Sequence, residues 1–196
     1  MKALIGLERE DRHVFRDDTM TNRMEPERRG ERLPVDTHIF REVLDRALLE
    51  SLQLYVRELT RSSLMRWEEW AQRLVRHNDP FVVLLHERVT PRVAEALGHP
   101  VKRSYCFLAA YGERATLPRH RDRPQCKYTL DLCIEDRGAG AWPLQIDGRQ
   151  IALSPNEALL YPGCELEHHR DEKPEGKISH LAFFHFVDVD FEGPLD

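Results

Sequence analysis

Apolar positions fall into two regimes along the chain. From Thr37, Phe40, Val43, Leu44, Ala47, Leu48, Leu52 and Val56 recur at helical spacing behind an Asp36 or Thr37 cap, which predicts a first helix. Leu64, Trp67, Trp70, Ala71 and Leu74 continue the spacing, so a second helix is predicted from Ser62 or Ser63 to about His77. Trp67 and Trp70 share one face of it and are expected to pack against the protein rather than stack on a ligand. Asp79 to Gly98 predicts a third helix, with Pro91 starting a new turn or kinking it. Such stripes press against something flat, and strand signals begin near Val101. Ser104–Ala110 and Lys127–Ile134 read as strands, and Leu144–Ile146 and Arg149–Leu153 flank the hairpin dipeptide Asp147-Gly148. Leu159–Tyr161 precedes the Pro162-Gly163 turn, and Ile178–Val189 is a long aromatic-rich strand. The pattern predicts helices over 36–98 and an antiparallel β core over 101–190, a sandwich or small barrel.

Residues 1–35 break this order. They are dominated by charge, as in Glu8-Arg9-Glu10-Asp11-Arg12, and have no periodic apolar face, so a loose N-terminal arm is expected ahead of one domain over 36–196. Met20 and Met24 leave open a start further in.

Charge narrows the partners. Across 196 residues, 29 basic against 34 acidic side chains give −5, so whole-molecule electrostatics do not suggest nucleic acid. No apolar run approaches the ~18 residues of a membrane span, and the N-terminal Ala3–Leu7 stretch is too short for a signal peptide. A cytoplasmic protein is expected. Cys106, Cys126, Cys133 and Cys164 form no C-x-x-C pair and read as small buried residues or spare thiols. Only Lys2, Lys102, Lys127, Lys173 and Lys177 are lysines, which makes a lysine in a pocket conspicuous.

The chemistry concentrates in Leu117-Pro118-Arg119-His120-Arg121-Asp122. In an extended stretch, residues two apart project to one side, so His120 and Asp122 can offer an imidazole nitrogen and a carboxylate oxygen to one ion. A third ligand is available in Glu165-Leu166-Glu167-His168-His169. Two histidines and one carboxylate on one face of an octahedron are the facial triad of non-haem iron(II), which leaves positions open for a bidentate cosubstrate and dioxygen. Along the strand after it, Tyr128, Leu130, Leu132 and Ile134 form an apolar face that should back onto the helices. Lys127, Thr129, Asp131 and Cys133 form the other face. If that face looks into the barrel, Lys127 and Thr129 could bind a carboxylate and Asp131 a substrate; an exposed outer face is the alternative. Arg119, Arg121, Arg123 and Arg170 crowd the expected mouth, where Arg121 or Arg170 could grip a substrate acid.

Residues 104–190 resemble the 2-oxoglutarate- and iron(II)-dependent oxygenases, and most closely their prolyl-hydroxylase-like branch. Tyr111-Gly112, His120-Arg121-Asp122-Arg123-Pro124, the strand Tyr128–Leu132, Leu160-Tyr161-Pro162-Gly163 leading to His168, and Gly176-Lys177-Ile178-Ser179 occur in the expected order and spacing. The resemblance implies a double-stranded β-helix, or jelly roll, supported by about three helices. It implies iron(II) held by His120, Asp122 and His168, with His169 the rival third ligand. It also implies 2-oxoglutarate as cosubstrate with dioxygen, anchored by Lys177, nine residues after His168, with Ser179 beside it and Tyr111 touching it. The activity implied is hydroxylation of an unactivated C–H bond with release of succinate and carbon dioxide. A small molecule or amino-acid derivative is the favoured substrate, and a peptidyl side chain remains open, as do desaturation and ring formation. Oligomeric state is not legible. The alternative is a cupin-like jelly roll that binds a metal or small ligand without 2-oxoglutarate turnover.

Overall fold

The computed structural model describes residues 33–137, 142–176 and 178–196; the charged arm expected at 1–35 lies almost wholly outside them. In chain order the elements are β1 (His38–Phe40), α1 (Arg46–Arg61), β2 (Arg66–Glu68), β3 (Arg73–His77), α2 (Pro80–Leu97), β4 (Val101–Tyr111), β5 (Leu117–His120), β6 (Tyr128–Arg137), β7 (Leu144–Ile146), β8 (Arg149–Ile151), β9 (Ala158–Tyr161), β10 (His168–Arg170) and β11 (Ile178–Asp188). All pairings are antiparallel. One sheet runs β1-β9-β6-β11-β4-β3-β2 and the other β5-β10-β7-β8, so the last eight strands follow a jelly-roll order, with β1 and the β2–β3 hairpin extending its larger sheet.

The described residues hold two α-helices where the sequence predicts three. Val43 N–H donates to Asn156 O, and Asn156 clamps the backbone of Leu44 from both sides, at 2.9 and 2.8 Å. The segment before it pairs with β9 as β1. The first helix therefore starts late, at Arg46, where Asp45 caps it through Leu48 N–H. Pro91 sits inside α2, which Asp79 opens and Gly98 closes at φ 73°.

The predicted second helix is a hairpin instead. Its three-residue spacing is overridden by the free edge of β4, against which β3 pairs with Val75 opposite Ala109 and Arg73 opposite Tyr111. Gln72, in the left-handed region at φ 48°, ends the single 3-10 turn Glu69–Ala71 between β2 and β3. In that turn geometry Trp67 and Trp70 do not pack inward; they are 52% and 46% exposed.

Alternation along β4, β6 and β11 separates two cores. Tyr128, Leu130, Leu132 and Ile134 face α1 and α2 with Cys106, Leu108, Ala182 and Phe184. Tyr105, Phe107, Ala109, Tyr111, Leu181 and Phe183 face the barrel interior. Both faces of the large sheet are covered, which is why β6 is buried along most of its length.

Candidate metal centre

β5 ends at His120 and β10 begins at His168, and the register sets the two opposite each other, ring centroids 4.3 Å apart. The chain then turns so that Asp122 N–H donates to Gly163 O at 2.9 Å, which ties the Asp122 loop to the Tyr161-Pro162-Gly163 turn. A Cβ on Gly163 would overlap the Asp122 carboxylate, so the close approach requires glycine. One ligand atom from each of His120, Asp122 and His168 lies within 4.8 Å of the others. Asp122 Oδ1 is 3.5 Å from His120 Nε2 and 3.7 Å from His168 Nε2.

Backbone hydrogen bonds aim the two imidazoles at one point. His120 Nδ1–H donates to Pro118 O at 2.7 Å and His168 Nδ1–H to Leu166 O at 2.9 Å, which turns both Nε2 lone pairs toward Asp122. Burial alone would raise the Asp122 pKa, but the pull of the neighbouring imidazoles, His120 foremost with His168 and His185, and the Thr129 hydroxyl hold it at about 2. Burial lowers the His168 pKa against the pull of Asp122. For His120 burial also works downward, but Asp122 and the Pro118 carbonyl raise the balance. Two imidazole nitrogens and one carboxylate oxygen on a half-open face fit a divalent transition metal better than calcium or magnesium, which prefer all-oxygen shells.

His169 is turned to the outer face of β10, where its ring meets Arg119 Nη2 at 3.4 Å and Asp171 at 3.7 Å. The strand alternation thus brings His168, and not His169, to the cluster.

The other sequence-picked residues are distributed differently from expectation. Lys127 does not enter the barrel: it closes the short 3-10 turn Pro124–Cys126 and pairs with Asp188. Thr129 faces inward, but its hydroxyl donates to Asp122 Oδ2 at 2.7 Å, so it is engaged by a member of the cluster. Asp131 and Arg170 do not line the mouth. They form a buried ion pair at 2.6 Å in the interior, and Arg170 Nη1 donates to Trp142 O. Arg121 is exposed and borders a groove of about 590 Å³ on the outer side of the small sheet, with Arg119, Gln145 and His169. Tyr111 is buried on the inner face of β4 and takes a hydrogen bond from Arg73. Ser179 is inward and buried, bonded to Lys173 and Asp136. Lys177 lies outside the described residues.

Four further residues shape the interior. Arg73 of β3 lies among the rings of Trp70, Phe107 and Tyr111, its Nε donating to Glu68 at 2.5 Å. It was hidden by the helical reading of its segment. Lys173 is buried, its ammonium 2.5 Å from Ser179 Oγ and 4.5 Å from the Trp142 ring. The scarcity of lysines was the only signal for it. Trp142 had no signal at all, whereas His185 shares a strand face with Leu181 and Phe183 by simple alternation. Among the described residues Arg170 Nε and Asp131 Oδ1 are buried without hydrogen-bond partners, so the interior has polar capacity to spare for a ligand.

No family model matches the chain, and no curated protein matches it in sequence. Solved structures do. A Pseudomonas putida prolyl-4-hydroxylase aligns at 15% identity over 78% of this chain and 92% of that one, with a TM-score of 0.63. HygX from Streptomyces hygroscopicus, solved with nickel and 2-oxoglutarate bound, aligns at 11% over 80% and 84%, TM-score 0.63. The epimerase SnoN, solved with Fe3+, alpha-ketoglutarate and nogalamycin RO, aligns at 10% over 79% of each chain, TM-score 0.63. The likeness is one of fold: the chain has the jelly-roll architecture of the 2-oxoglutarate- and iron(II)-dependent oxygenases, prolyl hydroxylases among them. No helix among the described residues is long and apolar enough to cross a membrane.

Proposed function

We propose that the protein is an iron(II)- and 2-oxoglutarate-dependent dioxygenase that hydroxylates an unactivated C–H bond of a small molecule or amino-acid derivative. The observation that carries this reading is the His120–Asp122–His168 cluster, with both Nε2 lone pairs and one carboxylate oxygen converging at the mouth of a jelly roll. Iron(II) with 2-oxoglutarate and dioxygen would supply the oxidative decarboxylation to succinate and carbon dioxide, and the power to break a C–H bond.

The chain's own residues supply orientation and charge. The two Nδ1–H groups are tied to backbone carbonyls, so the imidazoles present one nitrogen each without rearranging. A 2-oxoglutarate carboxylate buried in the barrel needs a cation. Of the lysines among the described residues, Lys102 bonds Phe191 O and Lys127 pairs with Asp188, while Lys173 is buried against Ser179, Asp136 and the Trp142 ring on the inner side. Lys173 with Ser179 is favoured as the anchor, alongside Lys177 on positional grounds, with the Arg73–Tyr111 pair also on the inner side. Trp70, edge-on to His120 at 5.5 Å and half exposed, forms the lip over which a substrate would enter.

One observation favours a second reading: Asp131 and Asp136 already lie against Arg170 and Lys173, as in a barrel that holds a metal without taking up 2-oxoglutarate. The test is an anaerobic titration of metal-free protein with iron(II), then 2-oxoglutarate. Appearance of the visible charge-transfer band of the chelated complex, abolished in His120→Ala and weakened in Lys173→Met, supports the oxygenase. Iron binding without the band moves the assignment to the metal-binding jelly roll, and absence of iron binding removes both.

A further inference from the structure

A carboxylate ligand can approach a metal through one oxygen or two, and which it does depends on what holds the second oxygen. Here Asp122 Oδ1 faces both imidazoles, while Oδ2 is turned away from them and accepts the Thr129 hydroxyl at 2.7 Å. Thr129 Oγ1 has a single proton, and a carboxylate can only accept, so that proton is committed to Asp122. The same Oγ1 lies 3.0 Å from His185 Nδ1. With its proton spent, Oγ1 can only accept there, which requires His185 to carry its proton on Nδ1. The imidazole is fixed in place by ring contacts with Tyr105 at 4.6 Å and Phe107 at 5.7 Å. Its Nε2 has no hydrogen-bond partner among the described residues and is buried. An imidazole satisfied on one side only is costly to bury, and here its one bond goes to the hydroxyl that holds Asp122.

We propose that Thr129 and His185 form a relay that fixes Asp122 as a one-oxygen metal ligand, with His185 orienting the Thr129 hydroxyl and Thr129 holding Oδ2 off the metal. This rests on the metal-centre reading above. Both are positioning residues: neither reaches the ion, and each acts through the next. Gly163 completes the device from the opposite side, because its bare Cα leaves the space that Oδ2 and the Thr129 hydroxyl occupy.

The test is a titration of metal-free protein with cobalt(II), read by its visible d–d absorption and by calorimetry, in the wild type and in Thr129→Val, Thr129→Ser, His185→Phe and His185→Asn, each checked for an unchanged thermal melt. Thr129→Val, which removes the donor at nearly constant volume, should weaken cobalt binding ~10–100-fold and alter the d–d spectrum as the carboxylate becomes free to swing. Thr129→Ser keeps the hydroxyl and should retain wild-type affinity. His185→Phe should lose part of the affinity, while His185→Asn, whose amide N–H sits where Nδ1–H does and can still donate to Thr129, should recover it. A folded Thr129→Val protein with wild-type affinity and spectrum overturns the relay, and so does a His185→Phe protein indistinguishable from wild type. A wild type that binds no cobalt, iron or nickel overturns the ligand assignment beneath it.

Discussion

Removing the carboxylate from Asp131 should destabilise the protein by much more than the loss of an ordinary ion pair. Asp131 is fully buried, and the Arg170 side chain is 4% exposed. In Asp131→Ala, the buried guanidinium keeps the Trp142 carbonyl but loses the carboxylate that pairs with it. Breaking a buried pair from one side costs about 3–5 kcal/mol. For a domain of this size each kcal/mol lowers Tm by about 2–4 °C, so the melt should move down by about 6–20 °C. The assay is urea unfolding of metal-free protein with a thermal melt beside it, taking the change in midpoint at unchanged slope as the change in stability. The double variant Asp131→Leu/Arg170→Met removes both charges and should recover most of the loss, since apolar replacement of a buried pair is commonly neutral or stabilising. A single-variant loss below about 1 kcal/mol, the range of a surface pair, would show that the interior is wet enough to solvate Arg170 and would refute the reasoning.

Gly163→Ala should leave the melt nearly intact yet weaken cobalt binding at least tenfold, because the new methyl displaces the Asp122 carboxylate; unchanged affinity by calorimetry would contradict the close approach. Trp70→Ala should change stability by no more than ~0.5 kcal/mol, as for other surface substitutions, but should remove most of the indole fluorescence quenching that cobalt produces, since Trp70 lies against His120. Glu135 is pushed upward by burial but held down to about 2 by Arg57, Arg137 and His180. Its folded pKa is thus below the unfolded value near 4.5, so the stability it contributes is present above pH 4.5 and is lost as the pH falls toward 2. Glu135→Gln should flatten that part of the stability–pH curve measured by urea titration, and a curve parallel to wild type would remove the ion-pair account.

The β core was legible because period-two alternation and turn dipeptides are local signals. Asp147-Gly148 marked the β7–β8 hairpin, and the apolar face Tyr128–Ile134 turned to the helices as expected. The His–x–Asp pair was legible from its spacing, although the strand ends at His120 and the tie from Asp122 N–H to Gly163 O, not alternation, brings the carboxylate round. The hairpin at 62–77 was not, because its strand character comes from pairing with β4, 34 residues away in sequence at the central pair Val75–Ala109 and invisible to spacing. That misreading also hid Arg73, which only a strand could aim into the barrel. Lys127 went astray by one position: the 3-10 turn ending at Cys126 takes it out of the alternation that Thr129 and Asp131 obey. Arg170 was placed at the mouth because sequence proximity to His168 says nothing of depth.

The position of β11 has a consequence for assembly. It is the last strand in chain order, yet it lies in the middle of the large sheet, bonded along its length to β6 on one side and β4 on the other. A growing chain that has made everything through Arg170 still holds two long apolar strands with open inner edges and no shared neighbour. The strands that carry His120 and His168 would both exist before the wall that carries His185 does. Closure of the barrel is therefore a late, long-range event, slow by the logic of contact order, and the interval before it is when the unpaired edges of β4 and β6 are exposed to strands of other chains. Chains cut short before Ile178 should not yield a smaller barrel but an aggregating one, and a chaperone would find its substrate in that window.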